Sequence, residues 1–237
     1  MTGDAHAKFS PSSASRWLVC NDSVNYQPED RANDFANEAA KFGTEIHEWI
    51  ACDTDAPSHW TDEQFRDAKL CLDEWRKHVP ADAEREVKLF SKSWPDLFFG
   101  TLDAVWVDDS GCVNIADLKS GLRGVSAADN AQLLCYTLLA SEKFPSAATF
   151  RVMIIQPRRS YFASNVYSRE QILAFGERVR RAIESPPEKV AGPHCEFCNA
   201  RLHCDVLHNS LFKLLADAQE SGLWTSNHMK ALNPCCA

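Results

Sequence analysis

Two aspartates and a lysine lie on neighbouring segments whose composition favours β-strands. Asp103 falls within residues 102–107, and Asp117 and Lys119 fall in or just after residues 112–118. Paired carboxylates are ligands that suit Mg²⁺ or Mn²⁺. Such an ion activates water and stabilises phosphoryl charge, and a lysine beside it can orient or deprotonate that water or neutralise charge on a phosphate. The three residues therefore predict phosphodiester hydrolysis.

The two segments are expected to form a β-hairpin, because the sequence Asp-Asp-Ser-Gly between them suits a tight turn. A loop of residues 109–111, with Gly111 at a position of positive φ, places Asp103 opposite Asp117. Opposed like charges destabilise a sheet, so folding alone does not favour this pair. A register shifted by one residue is the alternative, and it would put the two acids on opposite faces.

An acid on one strand followed by Asp-x-Lys on the next resembles the core of the PD-(D/E)XK nucleases. Asp103 matches the first acid, and Asp117-Leu118-Lys119 matches the second element. The resemblance implies an α/β fold with a restriction-endonuclease-like core, in which a mixed central sheet is flanked by helices. It also implies that Asp103, Asp117 and the backbone carbonyl of Leu118 bind the catalytic ion.

Three further residues are similar to the RecB-like branch of these nucleases. His47 lies in the sequence GTEIH on an upstream helix, and Gln132 and Tyr136 lie four residues apart on the helix after the Asp-x-Lys strand. The resemblance implies that His47 is an additional metal ligand, and that Gln132 and Tyr136 orient the site and contact the DNA backbone. A packed imidazole and ordinary helix packing of Tyr136 are the structural alternatives.

Three cysteines cluster late in the chain as Cys195-x2-Cys198-x5-Cys204. Three thiolates leave a four-thiolate site one ligand short. One early cysteine, Cys20, with these three late ones resembles the iron-sulfur RecB-type nucleases, which include CRISPR-associated and phage exonucleases. Four thiolates can hold a [4Fe-4S] cluster or a zinc ion. The resemblance favours iron-sulfur, with zinc and then unligated thiols as alternatives.

The net charge of −8 is unusual for a protein that binds DNA, because lysine and arginine supply most non-specific affinity for phosphates. The distribution of charge along the chain can matter more than the net charge. Basic residues are more frequent after residue 118 and could form a strip beside the site. Arg123, just after the Asp-x-Lys segment, is the favoured DNA contact. Candidates for stacking on bases are Trp17, Trp94, Trp106, Phe98 and Phe99, although each is more often a core residue.

The composition fits one sizeable core, with 45% hydrophobic residues in a chain of 237. The sequence contains no long apolar stretch and no secretory signal, so we expect no membrane segment and a location in the cytoplasm of a bacterial or phage-infected cell. The ten cysteines then suggest reduced thiols and a metal site rather than disulfides. Four of them are expected to be small buried residues, namely Cys52, Cys71, Cys112 and Cys135.

Periodicity and breaker residues predict one nuclease domain over residues 1–209 and a tail over 210–237. The core is expected at about residues 36–185, with cluster-binding segments at about 10–25 and 190–209. Predicted helices cover about 36–51, 61–78, 127–141 and 169–184, a short one carries residues 16–20, and the tail starts helical at 210. Predicted strands lie near residues 86–90, 100–107, 112–119, 149–156 and 161–167.

These residues together predict a metal-dependent DNA exonuclease that hydrolyses phosphodiesters at DNA ends, in recombination, repair or phage DNA processing. Its expected cofactors are Mg²⁺ or Mn²⁺ and a [4Fe-4S] cluster, or Zn²⁺ in place of the cluster. Its expected partner is DNA with a free end or a single strand, and a second copy or a recombination protein is a further candidate. The alternatives are a DNA-binding recombination adaptor that does not cleave and a zinc-stabilised endonuclease.

Overall fold

A computed structural model describes residues 7–26, 34–52 and 55–221 of the chain. Within these ranges a five-stranded sheet is flanked by helices, which confirms the predicted mixed α/β architecture. The strands are β1 (Glu84–Phe90), β2 (Phe99–Val107), β3 (Val113–Leu118), β4 (Thr149–Gln156) and β5 (Tyr161–Ser168). The α-helices are α1 (Ala14–Trp17), α2 (Asp34–Cys52), α3 (Asp62–His78), α4 (Ala131–Lys143), α5 (Arg169–Glu184) and α6 (Asp205–Glu220).

The strands lie side by side in the order in which they occur in the sequence. β1, β2 and β3 are antiparallel neighbours, β3 and β4 are parallel, and β5 returns antiparallel to β4. The parallel pair requires a crossover, which α4 provides. β3 is buried along its whole length, as expected for the central strand of a sheet covered on both faces.

The β2–β3 hairpin has the predicted loop and register. Gly111 ends the loop with a φ of 78°, a conformation that glycine adopts without strain. The ladder contains the pairs Val107 with Val113, Trp106 with Asn114, Val105 with Ile115 and Ala104 with Ala116. The next position along this ladder places Asp103 opposite Asp117, so the alternative register is excluded.

Helix α4 begins later than the sequence indicated. The side chain of Asn130 accepts a hydrogen bond from the backbone of Leu133 and caps the helix, which starts at Ala131 instead of residue 127. Asp129, just before the cap, has a φ of 53°, which an α-helix cannot contain. The polar sequence before the cap is therefore a turn, and the predicted start was wrong by one helical turn.

Each face of the sheet carries its own hydrophobic core. One core lies under α1, α4 and α5 and contains Trp17, Phe98 and Leu102. The other lies under α2 and α3 and contains Ile46 and Trp75. Because α2 and α3 cover the face opposite α4, a side chain projecting from α2 can reach the residues of β2 and β3 that face away from α4.

The early and late parts of the described chain meet beside α5. The amide of Asn21 donates to the carbonyls of Ala182, Ser185 and Pro186 and accepts from the backbone of Glu188. Near it, α1 ends at Trp17, so the helix predicted over residues 16–20 is shorter than expected.

Helix α6 runs through the predicted domain boundary at residues 209 and 210. None of the residues of this helix, all of which the structure describes, is buried. In the described ranges, no helix has the length and apolar character needed to cross a membrane.

Candidate functional site

The two predicted carboxylates lie next to each other where β2 and β3 leave their shared ladder. Asp103 turns its Oδ2 atom to the backbone N–H of Leu118, which donates to it over 2.7 Å. This side-chain bond takes the place of a ladder bond and holds the carboxylate between the strands. Asp117 is only 2% exposed and the side chain of Asp103 is 15% exposed, so both carboxylates are surrounded mainly by protein groups.

His47 approaches Asp103 from α2. Its neighbours Ile46 and Ile50 are buried in the core beneath α2, which fixes the rotation of the helix over the sheet. The Nδ1 atom of His47 lies 3.3 Å from Oδ1 of Asp103. The helix therefore brings the imidazole to the side of Asp103 that does not bond Leu118, as a metal ligand would require.

Glu86 joins these two residues from β1. The ligand atoms of His47, Glu86 and Asp103 all lie within 4.8 Å of one another. Among the described residues, this is the one group of three or more His, Cys, Asp or Glu side chains that lie so close together. Glu86 is not among the metal ligands predicted from the sequence. The side chain is exposed, but it faces the same pocket as His47 and Asp103.

The backbone explains how Glu86 reaches this pocket. Its φ of 48° is in the left-handed region, which is unusual for a residue with a side chain. The residues of β1 before and after Glu86 pair with β2 in the same register, so the strand contains no inserted residue. The side chains after Glu86 nevertheless point to the face opposite the one that regular alternation would give. In the facing strand, Leu102 contacts one core and Ala104 the other, although alternation would place both on one face. Hydrophobic periodicity in the sequence could have revealed this change of phase at Asp103.

Lys119 and Gln132 complete the polar network around Asp117. Lys119 Nζ lies 2.8 Å from Oδ2 of Asp117 and donates to Oε1 of Gln132 over 3.1 Å. Gln132 Nε2 donates to Oδ1 of Asp117 over 3.2 Å and to the hydroxyl of Tyr136 over 3.1 Å. Gln132 thus bridges the Asp-x-Lys strand and α4, as its position in the sequence predicted.

Tyr136 lies behind Gln132 and not on the surface. It is 8% exposed, and its ring contacts the backbone at Gly100 so closely that a Cβ atom there would lie 2.9 Å from the ring. The structure thus shows a packed side chain that orients Gln132. The DNA contact predicted for Tyr136 would need its buried hydroxyl to become accessible.

The pKa values of the two aspartates are shifted in opposite directions. Burial disfavours ionisation of Asp103, but His47 and the Leu118 N–H outweigh it and lower the pKa of this carboxyl. Burial raises the pKa of Asp117 to about 6, although Lys119 acts in the opposite direction. Glu86, partly removed from water and repelled by Asp103, has a pKa raised to about 7.

The two basic residues are held in their charged forms. Burial opposes protonation of His47, but the negative charge of Asp103 outweighs burial and raises its pKa to about 9. Burial likewise opposes the charge of Lys119, and Asp117 outweighs it, so the pKa of the ammonium group is raised. The site is therefore a set of three acids, two of them largely buried, that lie beside two cations, and a metal ion would have to displace the proton of His47.

An open cleft of about 420 Å³ gives access to this network. It is lined by His47, both aspartates, Leu118, Lys119 and Gln132, together with the first half of α2 and the loop after β3. The predicted acids, lysine, histidine and glutamine thus face one common space. A phosphate group in this cleft would lie beside the ammonium group of Lys119.

Arg123, the predicted DNA contact, lies in the loop after β3 and contacts the cysteine segment. Its guanidinium group is 3.1 Å from a carboxylate oxygen of Glu196 and 4.3 Å from the centre of the Phe197 ring. The amide of Gln156 donates to the carbonyls of Gly121 and Arg123 and holds the same loop from below. The structure therefore joins the loop beside the cleft to the residues between Cys195 and Cys198.

The four predicted cysteines line one pocket. Cys20, Cys195 and Cys198 are buried, and Cys204 is partly exposed at the start of α6. Arg16 ties the two segments together by donating to the carbonyl of Phe197 over 2.7 Å. The early cysteine and the three late ones therefore meet, as the resemblance implied.

The other cysteines of the described chain lie elsewhere. Cys71, Cys112 and Cys135 are buried, as predicted, but Cys52 is exposed. Cys52 is the last residue of α2, beyond the residues of that helix that contact the core. The prediction of a buried Cys52 was therefore wrong.

Comparison with known proteins gives a structural neighbour and a family. The solved structure titled "Crystal structure of SSO0001" has a TM-score of 0.43 and 15% sequence identity over 83% of this chain and 84% of that one. Residues 6–88 and 72–233 match the model of DUF2800, described as a protein of unknown function. Because these two matches span nearly the whole sequence, the chain belongs to the DUF2800 family.

Proposed function

We propose that this protein is a metal-dependent DNA exonuclease of the RecB-like PD-(D/E)XK type. The observation that carries the proposal is the arrangement around the open cleft, where Asp103 and Asp117 lie opposite each other and Lys119 lies against Asp117. A structural role does not require two buried carboxylates on adjacent strands, because each costs free energy to bury. The order of three antiparallel strands, a crossover helix and a parallel strand is the core that this superfamily would require.

The donor atoms fit a hard divalent cation. Carboxylate oxygens from two strands and an imidazole from α2 meet within 4.8 Å in the group of His47, Glu86 and Asp103. Two neighbouring ligands around Mg²⁺ are separated by about 3–4 Å, given metal–oxygen distances of about 2.0–2.1 Å. His47, Asp103 and Glu86 of this group would hold the ion together with Asp117, which lines the same cleft, and the ion when bound supplies a Lewis acid for water and phosphate.

Each residue has a role in hydrolysis that follows from its charge. A water oxygen forms the new bond to phosphorus while the bond to the leaving nucleotide oxygen breaks; the attacking water gives up its proton to solvent in the open cleft, and the leaving oxygen takes up a proton from solvent. Lys119 is held in its charged form, so it would neutralise the developing charge on the phosphate rather than take the proton of the water. Gln132 fixes both Asp117 and Lys119 through its amide, and Tyr136 fixes Gln132 in turn.

The cysteine pocket supports a [4Fe-4S] cluster more than a zinc ion. Four thiolates around one zinc lie about 3.8 Å from each other, since each zinc–sulfur bond is about 2.3 Å. In the described chain, no three cysteines form a group of ligand atoms within 4.8 Å. A cluster with several iron atoms separates its thiolates more widely than a single zinc ion does, so it does not require the sulfurs to lie within that distance.

End-labelled DNA tests the activity directly. We expect release of labelled nucleotides with Mn²⁺ and none with EDTA, and no cleavage of a closed circular strand, because an exonuclease needs an end. Lys119→Met, purified in the same way and checked for its circular dichroism spectrum, should be inactive. An inactive wild-type protein that still binds DNA would point to an adaptor, and nicking of the circle would point to an endonuclease.

A further inference from the structure

A pair of aromatic rings lies on the sheet four residues along the strands from the proposed metal site, one ring exposed and the other partly buried. Phe90 ends β1 and Phe99 starts β2, and the two residues are partners in the ladder. Their ring centres are 5.2 Å apart, and Phe90 is 51% exposed. Neither ring belongs to the two hydrophobic cores that the described residues form. Adjacent apolar rings that belong to neither core mark a candidate interaction surface.

The rings lie on the face of the sheet that also carries the site. In β1 the core side of the strand is occupied by Val87 and Leu89, so Lys88 and Phe90 project from the opposite face. That opposite face is the one on which α2 and α3 lie farther along the sheet. The neighbouring Gly100, which faces the other way, is covered by Pro11 and Tyr136.

The distance from the site to the rings suits a nucleic acid strand. From the positions of Glu86 and Asp103, the ladder of β1 and β2 continues through the pair Lys88 and Thr101 to the pair Phe90 and Phe99. Four residues of a β-strand span about 13 Å, which corresponds to about two to four nucleotides. Lys88 places its ammonium group 5.8 Å from the centre of the Phe90 ring and 5.3 Å from that of Phe99, so a basic side chain adjoins both rings.

We propose that Phe90 and Phe99 form a stacking platform for bases of single-stranded DNA a few nucleotides from the scissile phosphate. This inference rests on the proposed nuclease function and specifies its substrate as a single strand. Surfaces that bind single strands combine positive charge with aromatic rings on which bases stack, whatever their sequence. In a duplex the faces of the bases are already stacked on each other and cannot cover the rings.

Binding without cleavage tests the platform independently of catalysis. The full-length Asp117→Asn protein, with Ca²⁺ in place of Mn²⁺, is titrated with a single-stranded oligonucleotide of about 12 nucleotides that contains 2-aminopurine. Phe90→Ala and Phe99→Ala in this background should each weaken binding by about 5- to 150-fold and reduce the quenching that stacking produces. Phe90→Leu keeps the apolar area but removes the aromatic face, so it should behave as the alanine variant does.

The controls separate the platform from other uses of the same face. Phe212→Ala removes a ring on α6 that is 69% exposed, and it should leave binding unchanged. A dinucleotide is too short to reach the platform, and a blunt duplex has no free bases, so both should bind the Phe90 variants and the parent equally. The platform would be overturned if the Phe90 variants bound the single strand as tightly as the parent does, or if they lost as much affinity for the duplex as for the single strand. A dimer of the parent that the Phe90 variants lose would also overturn it, because the rings would then cover a second copy.

Two outcomes distinguish this inference from the proposed function. Cleavage by the wild-type protein together with unchanged binding by the Phe90 variants would reject the platform and leave the nuclease in place. Loss of strand binding in these variants, with a wild-type protein that never cleaves, would retain the platform and reject the nuclease.

Discussion

The acidic site and the cysteine pocket are both places where ligand residues converge, but the chain assembles them differently. Asp103 and Asp117 come from one hairpin, and the register of that hairpin places them together. Cys20 comes from the start of the described chain and meets cysteines near its end. The acidic site is thus fixed by backbone ladders, whereas the cysteine pocket depends on polar contacts between two surface segments.

This difference implies opposite responses to loss of the bound group. The acids are already neutralised by Lys119 and His47, so the sheet does not need a cation to fold around them. The two cysteine segments are joined instead by polar contacts, such as those of Arg16 with the carbonyl of Phe197 and of Asn199 with the carbonyl of Tyr26. A cluster there would connect the two segments and contribute its binding free energy to folding.

The largest expected effect is on catalysis, from a change in the acidic site that spares the fold. Asp117→Asn keeps the shape of the side chain and removes one metal ligand, so cleavage should fall by about 10²–10³-fold or more. At neutral pH its unfolding midpoint should stay close to that of the wild type, because removing a carboxylate whose burial is unfavourable, as its raised pKa shows, offsets the loss of its ion pair with Lys119. Cleavage rates and thermal melting followed by circular dichroism measure both. Cleavage at the wild-type rate would reject the metal site.

The cysteine pocket should show the reverse pattern. Cys195→Ser removes one of four ligands, and the loss of a few kcal/mol of binding free energy should lower the unfolding midpoint by about 10 °C. The visible absorption of an iron-sulfur protein should disappear with it. Cys52→Ser, an exposed cysteine outside the pocket, is the matched control and should change neither property. An unchanged midpoint in the Cys195 variant would show that the thiols carry no stabilising ligand.

The acids and the cysteines could be predicted from the sequence because their chemistry depends on residue types and on short spacings along the chain. Gly111 and the turn residues defined the hairpin, and the hairpin register then placed Asp103 opposite Asp117. Glu86 was missed as a member of the site because its position depends on a left-handed backbone residue within a strand, which no propensity indicates. The contact between Arg123 and Phe197 was missed for another reason, since it joins loops far apart in the chain.

A smaller effect is expected at Arg123, where the two regions meet. If this guanidinium group contacts a phosphate, Arg123→Ala should raise KM for DNA by up to about tenfold and lower the slope of log affinity against log salt by about one. Its ion pair with Glu196 is well exposed and contributes little to stability, so the unfolding midpoint should hardly move.

Glu196→Gln separates the two possible roles of Arg123. It breaks the ion pair but leaves the guanidinium group, so KM should stay the same or fall if Arg123 serves DNA. An equal rise of KM in both variants would instead assign Arg123 to holding the cysteine segment against the loop. Initial rates at several salt concentrations distinguish the two results.

The smallest effect should come from Glu86, the exposed member of the metal group. Glu86→Gln removes one negative ligand while His47 and Asp103 stay, so we expect the Mn²⁺ concentration for half-maximal cleavage to rise by about three- to tenfold, as when a supporting residue of a metal site is lost. At saturating Mn²⁺ the rate should recover to nearly the wild-type value. Glu84→Gln, two residues earlier on β1 and paired with Lys143, is the matched control and should leave the Mn²⁺ dependence unchanged. A loss of rate that excess Mn²⁺ does not restore would give Glu86 a role in the reaction itself and would make the acidic site depend on the strained residue of β1 as much as on the hairpin.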